Sequence, residues 1–474
     1  MRNLSLMTDL YELTMIYGYQ KCGMDDREAV FDLFFRGTDE LSYAVVCGLE
    51  QAVDYVRNIH FDEDDIAYLR SLKLFDEAFL AKLKAFRFSG DIYAMPEGSI
   101  VYPYEPLLTV KATIFEAQLM ETTLLTLINH QTLIATKASK IVGSTNAGVM
   151  EFGLRRAQGP DAGIYGARAA MIVGCVGTSN VLAGKMFDVP VSGTHAHSWV
   201  MSFPSEIDAF RAYAKLFPDS CLLLVDTYDV LKSGLPNAIK VFDELKAQGH
   251  KPLGIRIDSG DLAYLTKEAR RILDEAGYPD AKICASGDID EYVLQSLNAQ
   301  GACIDSYGIG TKLITSFTMP ALGGVYKLAA IEDDKGVLQP KLKISNTLEK
   351  ITNPGLKKVV RFYDNETDKA IADLIMLKDE PNPNGEPYMI FDPVETWKQK
   401  TVVNYHVEEL MVPIFEKGEL VYKMPTLPEI KAHYQKCIGN MWEQYKRITK
   451  PHIYKVDLSQ KLYDLKMELL NEEK

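Results

Sequence analysis

The sequence predicts an α/β protein built on a parallel, barrel-like sheet, with a second, discontinuous α/β domain made from the two ends of the chain. Three observations predict it. Short apolar runs alternate with amphipathic stretches through the middle: CLLLVDTYD then PNAIKVFDELKAQGH, PLGIRIDSG then DLAYLTKEARRILDEAG, KICASGDID then EYVLQSLNAQG, and last CIDSYGIG. These runs are apolar throughout rather than alternating, as expected when helices cover a parallel sheet. Asp226, Arg256 and Ser286 recur every 30 residues, about the length of one strand–helix unit.

Taken in order, the chain opens with a helix-like MTDLYELTM. The strand-like runs VFDLFFR (30–36) and IVYPYEPLLTVKATI (100–114) follow, rich in β-branched and aromatic residues. From Glu116 the pattern becomes one long helix that Gly143 ends. In the helix after RIDSG, Leu262, Leu265, Ala269, Ile272, Leu273 and Ala276 share one face, while Lys267, Glu268, Arg271 and Glu275 fill the other. Beyond about residue 340 the pattern loosens: KDEPNPNGEP (378–387) reads as a turn-rich loop, and the stretch from PEIKAHYQKC to the end as helical. The expected organisation is a domain of residues 1–135 completed by 345–474, around a barrel domain of 136–344.

Composition narrows the function. Hydrophobic residues at 47% and charged residues at 25% are the mix of an ordinary globular protein. A formal net charge of -13 repels polyphosphate backbones and argues against a nucleic-acid partner, while a few focused Arg and Lys residues still allow a small anionic substrate. The seven cysteines are scattered, with no C-x-x-C pair, which points to reduced thiols in a cytoplasm. The opening residues do not form a signal peptide, and the Gly- and Pro-free stretch 107–142 is broken by Glu116, Glu121, His130, Lys137 and Lys140, so a buried helix is expected there rather than a membrane span.

Polar residues gather where each middle strand ends, the edge at which parallel α/β folds build their sites. SGD (286–288) and YGIGT (307–311) offer small residues whose backbone N–H groups can approach an anion. RIDSGD (256–261) sets Arg256 and Asp258 on one face, the first able to fork onto phosphate or carboxylate, the second to hold sugar hydroxyls or Mg²⁺. EFGLRRAQGPDAG (151–163) carries two adjacent arginines; on a strand, one at most faces the pocket. GTHAHSW (193–199) spaces His195 and His197 as one face of a strand would, but no third ligand follows, so acid–base or nucleophilic work by one imidazole is the better reading than zinc. Neither a P-loop nor a G-x-G-x-x-G fingerprint occurs. His433 and Cys437, four residues apart, carry no reading.

In this order, MTDLYELTM, FDLFFR, EFGLRRAQGPDAG, GTSNVLAG, GTHAHSW, VDTYD, GIRIDSGDL and GIGT closely resemble the nicotinate phosphoribosyltransferases, the ATP-assisted enzymes of NAD salvage. The resemblance implies an irregular barrel with a discontinuous second domain, working as a homodimer with shared sites. It implies that ATP phosphorylates His197, that Phe152 and the partner subunit's Tyr11 sandwich the pyridine, and that Arg155 contacts carboxylate or phosphate. Arg256 and Asp258 would hold ring, ribose or phosphates, and Asp226 would support the histidine and the sugar–metal region. Thr194 belongs to the same substrate pocket, and Gly287, Gly308, Gly310 and Thr311 would cradle the 5′-phosphate. Mg²⁺ is expected to enter through substrate phosphates, with no direct protein ligand assigned. His195 has no implied role. Ser179 stands where the related nicotinamide-using enzyme has Asp; a hydroxyl can donate to a carboxylate that an Asp would repel, which favours nicotinate. The rival readings are a nicotinamide-preferring relative, a quinolinate phosphoribosyltransferase, a non-catalytic metabolite sensor, and a barrel hydrolase with metal on His195 and His197.

Overall fold

The computed structural model describes residues 3–38, 41–345 and 351–472. The chain divides into two compact units, Met1–Leu133 with Ala321–Lys474, and Ile134–Pro320. The second boundary falls earlier than the sequence suggests, and the reason is strand pairing. Gly324–Glu332 runs antiparallel to Glu28–Phe35, so the segment after 320 is bound into the first unit by a ladder of hydrogen bonds. Likewise the predicted single helix from Glu116 is two, Ile114–Leu119 and Glu121–Val142, and the unit boundary lies within the second.

In the first unit a seven-stranded sheet follows the order Leu338–Pro340, Gly324–Glu332, Glu28–Phe35, Leu108–Thr113, Asp91–Ala94, Val412–Glu416, Glu419–Leu420. Its strand Val412–Glu416, paired to Asp91–Ala94, comes from the C-terminal third, which joins the two chain ends in one layer. The loosely patterned region forms a second sheet of Lys357–Asp364, Ala370–Leu377 and Tyr405–Glu409, antiparallel, with Val456–Leu458 added in parallel. The tail is therefore helical only in part, at Leu427–Asn440, Glu443–Lys446 and Gln460–Glu472. At the centre Arg361 is buried and forks onto Asp373 at 2.7 and 2.6 Å. The rings of Tyr102 and Tyr454 are stacked at 3.8 Å, and the guanidinium lies 5.5 and 5.9 Å from their centroids.

The second unit holds the repeated pattern. Six strands form a parallel sheet in the order Gly177–Thr178, Gly148–Glu151, Ser306–Ile309, Lys282–Gly287, Gly254–Ile257, Leu222–Leu224. Helices Leu235–Ala247, Leu262–Glu275 and Glu291–Ala299 connect the last four strands. Leu223, Val225, Ile255, Ile257 and Ile283 pack with Phe242, Ala269 and Leu273 in one core, which explains the uniformly apolar strands. Two of the connecting helices start on a carboxylate: Asp261 accepts from Tyr264 N–H, and Asp290 from Tyr292 and Val293 N–H. Asp229 accepts from Leu231 and Lys232 N–H and so caps the π-helical turn Val230–Gly234 that leads into the third. These caps fix where each strand end turns, and so where the site side chains stand.

Candidate active site

His197, Thr194, Asp226, Arg256 and Asp258 converge at the C-terminal ends of three strands of the second unit. Arg256, on Gly254–Ile257, is the hub. Its Nε donates to Ser286 Oγ (2.8 Å), its Nη1 to Thr194 Oγ1 (3.1 Å) and its Nη2 to Asp258 Oδ1 (2.8 Å). A planar guanidinium with every branch engaged is held in one orientation, which a lysine could not match. Burial by itself would raise the Asp258 pKa; the Ser286 hydroxyl, the Arg256 guanidinium and His197 outweigh it and hold the carboxyl below its usual range. Asp258 thus stays anionic beside His197, whose Nε2 is 3.9 Å from Oδ2.

Asp226 Oδ2 accepts from Asp258 N–H (2.9 Å) and Ser259 Oγ (2.7 Å), while Oδ1 is buried with no protein partner. A carboxylate oxygen kept from water and left unsatisfied has a cost that a ligand hydroxyl or hydrated cation would relieve. His197 begins the short helix His197–Met201, and its Nδ1 lies 3.1 Å from Thr227 Oγ1. This differs from a strand-borne H-x-H. With His195 in a loop and His197 starting a helix, the two rings part: His195 is 7% exposed, and the His197 side chain 40%. Among the described residues no third His, Cys, Asp or Glu joins them in a group that could hold a metal.

A second part of the site is built around Glu151, which the sequence did not single out. This buried carboxyl, its pKa raised by burial, accepts from Thr178 Oγ1 (2.6 Å) and from Gly153 N–H. Its own carbonyl accepts from Ser179 N–H (2.9 Å). Phe152 and Ser179 are thereby fixed to neighbouring strand ends. Phe152 N–H donates to Ile309 O (2.8 Å), and its ring centroid is 5.8 Å from the Arg256 guanidinium. Gly308 and Gly310 both face Phe152: a Cβ on either would lie 2.4 Å from its ring or 2.9 Å from its carbonyl oxygen. Gly287, at φ +120°, comes against Asp258 O, and Thr311 starts the turn Thr311–Ile314. Leu154–Arg156 is a 3-10 turn rather than strand, so strand alternation does not sort the arginines, and Arg155 and Arg156 are both exposed. Tyr11 belongs to the first unit, on helix Leu10–Lys21, where it is 46% exposed. Thr227, Ser259 and Ser286 are further participants; their only signal in the sequence is a place inside the strand-end motifs.

Three models of nicotinate phosphoribosyltransferase domains match the chain: the N-terminal domain at residues 6–129, the family core at 147–365 and the C-terminal domain at 356–466. A curated nicotinate phosphoribosyltransferase of Bacillus subtilis is 47% identical over 474 residues, covering 100% of this chain and 96% of its own. The chain belongs to the nicotinate phosphoribosyltransferase family. A nicotinate phosphoribosyltransferase of Caenorhabditis elegans is 36% identical over 97% of the chain and 92% of its own length. The crystal structure of human nicotinic acid phosphoribosyltransferase superposes with a TM-score of 0.86 at 31% identity, covering 98% of this chain and 99% of that one. A Pyrococcus furiosus nicotinate-nucleotide pyrophosphorylase shares the fold, with a TM-score of 0.71 at 21% identity over 92% and 96% of the two chains. Among the described residues no helix is long and apolar enough to cross a membrane.

Proposed function

We propose that this nicotinate phosphoribosyltransferase family member joins nicotinate to phosphoribosyl pyrophosphate, releasing pyrophosphate and forming nicotinate mononucleotide, with ATP as a co-substrate that phosphorylates His197. The observation that carries the reading is the strand-end cluster: a nucleophilic imidazole beside an anionic Asp258, an immobilised Arg256, and an unsatisfied Asp226 oxygen.

In this reading Phe152 stacks on the pyridine ring, with the partner subunit's Tyr11 on the other face, and Ser179 and Arg155 meet the carboxylate. The exposed apolar residues Leu10, Tyr11 and Met15 on one helix support a homodimer with shared sites. Thr194, Arg256, Gly287, Gly308, Gly310 and Thr311 hold the ribose phosphates. The pyridine nitrogen attacks ribose C1 as the C1–O bond to pyrophosphate breaks. Fixing the two reactants in line accounts for ~7–11 kcal/mol in favourable systems.

Thr227 engages His197 Nδ1, which leaves Nε2 to attack the γ-phosphorus of ATP; the bond from that phosphorus to the ADP oxygen breaks and ADP leaves. Asp258, anionic beside the ring, stabilises the cationic imidazole during this step. Among the described residues no set of three or more His, Cys, Asp or Glu is arranged to hold a metal. The unpartnered Asp226 oxygen fits Mg²⁺ that arrives on the substrate phosphates and stays largely hydrated. When bound, that ion neutralises the departing pyrophosphate.

The same reading makes the six-stranded sheet the wall of an irregular barrel and places the enzyme in the cytoplasm. The test is product formation from nicotinate, phosphoribosyl pyrophosphate and Mg²⁺, with and without ATP. Nicotinate mononucleotide that rises with ATP, with ADP released alongside, is the expected result. Product from nicotinamide alone would overturn the assignment of Ser179, and no product from either would overturn the enzymatic reading.

A further inference from the structure

The segment 190–195 touches both edges of the six-stranded sheet. At one edge it runs beside Thr178, which donates its N–H to Pro190 O (3.0 Å) and accepts from Ser192 N–H (2.9 Å), a parallel bridge at Val191. At the other, His195 Nε2 accepts the N–H of Leu224 (3.2 Å), on the edge strand Leu222–Leu224. The next N–H of that strand, Val225, is paired inward to Arg256 O (3.0 Å), so His195 satisfies the outward-facing donor. The ring is buried, edge-on to Tyr213 at 4.7 Å with Phe210 at 6.3 Å.

Its place in the chain gives this clasp a consequence. Leu224 lies two residues before Asp226, and His195 lies between Thr194, which holds Arg256, and His197. One hydrogen bond therefore ties the segment bearing the phosphoryl acceptor to the strand that ends in Asp226. We infer that His195, as a neutral imidazole with its proton on Nδ1, is a positioning residue that sets the alignment of His197 against Asp226 and Asp258. The inference rests on the reading that ATP phosphorylates His197. Only a ring with a bare Nε2 can do this, since a protonated one would turn N–H against N–H. Burial works in the same direction and holds the His195 pKa down at about 4.

Two variants separate the clasp from mere filling of space. His195→Met keeps volume without an acceptor; His195→Gln places an oxygen near the position of Nε2. The readout is the ratio of ATP-stimulated to ATP-free product formation, with phosphate incorporation at His197 measured beside it. The expected result is a ratio lowered about tenfold or more in His195→Met, with phosphate incorporation slowed equally, and largely restored in His195→Gln. A ratio unchanged in His195→Met, or both rates falling by one common factor, overturns the proposal and leaves the ATP reading intact. A wild-type enzyme that ignores ATP overturns both. Should His195→Met fail to fold, nitrogen-15 NMR of the wild-type imidazoles decides: the resonance absent from His195→Gln must show a bare Nε2 and a protonated Nδ1, and the opposite tautomer overturns the proposal.

Discussion

Gly308 lies so close beneath Phe152 that a Cβ there would sit 2.4 Å from the ring carbon Cδ2. The glycine makes room for the aromatic face, a requirement separate from any phosphate. Gly308→Ala should therefore push the ring out of place while the strand survives. Aromatic stacking contributes ~0.5–1.5 kcal/mol beyond area burial, so KM for nicotinate should rise roughly two- to tenfold. Steady-state kinetics check this; a KM for nicotinate left unaffected would show that Gly308 does not make room for the ring.

His197 and Thr227 make a second test. His197→Ala should abolish ATP stimulation and ADP release. Thr227→Val removes the hydroxyl 3.1 Å from Nδ1, and a lost hydrogen bond of ~0.5–1.5 kcal/mol should slow phosphoryl transfer to the ring roughly two- to tenfold. Rapid-quench measurement of phosphohistidine reads both. Full ATP stimulation in His197→Ala would remove that residue from the coupling.

Glu12 offers a pH signature in the first unit. Burial raises its pKa from 4.5 to about 7, against hydrogen bonds from Thr122 and Thr8 and with the help of nearby Glu121. The folded state then binds a proton that the unfolded chain has released. Stability contributed by the protonated form is complete below the unfolded value and is lost as pH rises through about 7. A shift of this size amounts to ~3 kcal/mol. Glu12→Gln should flatten that decline, which denaturant midpoints at acid and alkaline pH will show; parallel pH profiles for variant and wild type would contradict it.

Arg361 and Asp373 anchor the centre of the first unit, and both are almost wholly buried. Breaking such a pair leaves an uncompensated buried charge and costs ~3–5 kcal/mol. Arg361→Met should lower the denaturant midpoint accordingly, and the double variant with Asp373→Leu should recover part of the loss. Additive losses in that cycle would show that the two side chains act independently.

Much of the fold was legible because one period governed it. The 30-residue recurrence of Asp226, Arg256 and Ser286 located the strand ends, and their uniformly apolar strands announced a parallel sheet covered by helices. The first unit was less legible. Its seven-stranded sheet pairs residues 28–35 with 324–332, and 91–94 with 412–416, and pairings so distant leave no local signal. For the same reason the boundary near 320 could not be read from composition.

The sequence by itself determined the chemistry available: which strand ends carry carboxylates, which carry an arginine, and where the glycines and the two imidazoles of GTHAHSW stand. Tertiary structure decided the division of labour among residues that look alike in the chain. Asp226 and Asp258 face the site, while Asp229, Asp261 and Asp290 only cap helices. His197 stands half exposed beside Asp258, while His195 is buried against the sheet edge. The physical reason is that a side chain's role depends on the backbone direction at its own position and on partners some 30 residues or more away. Local sequence fixes the kind of group, and only packing fixes what that group meets.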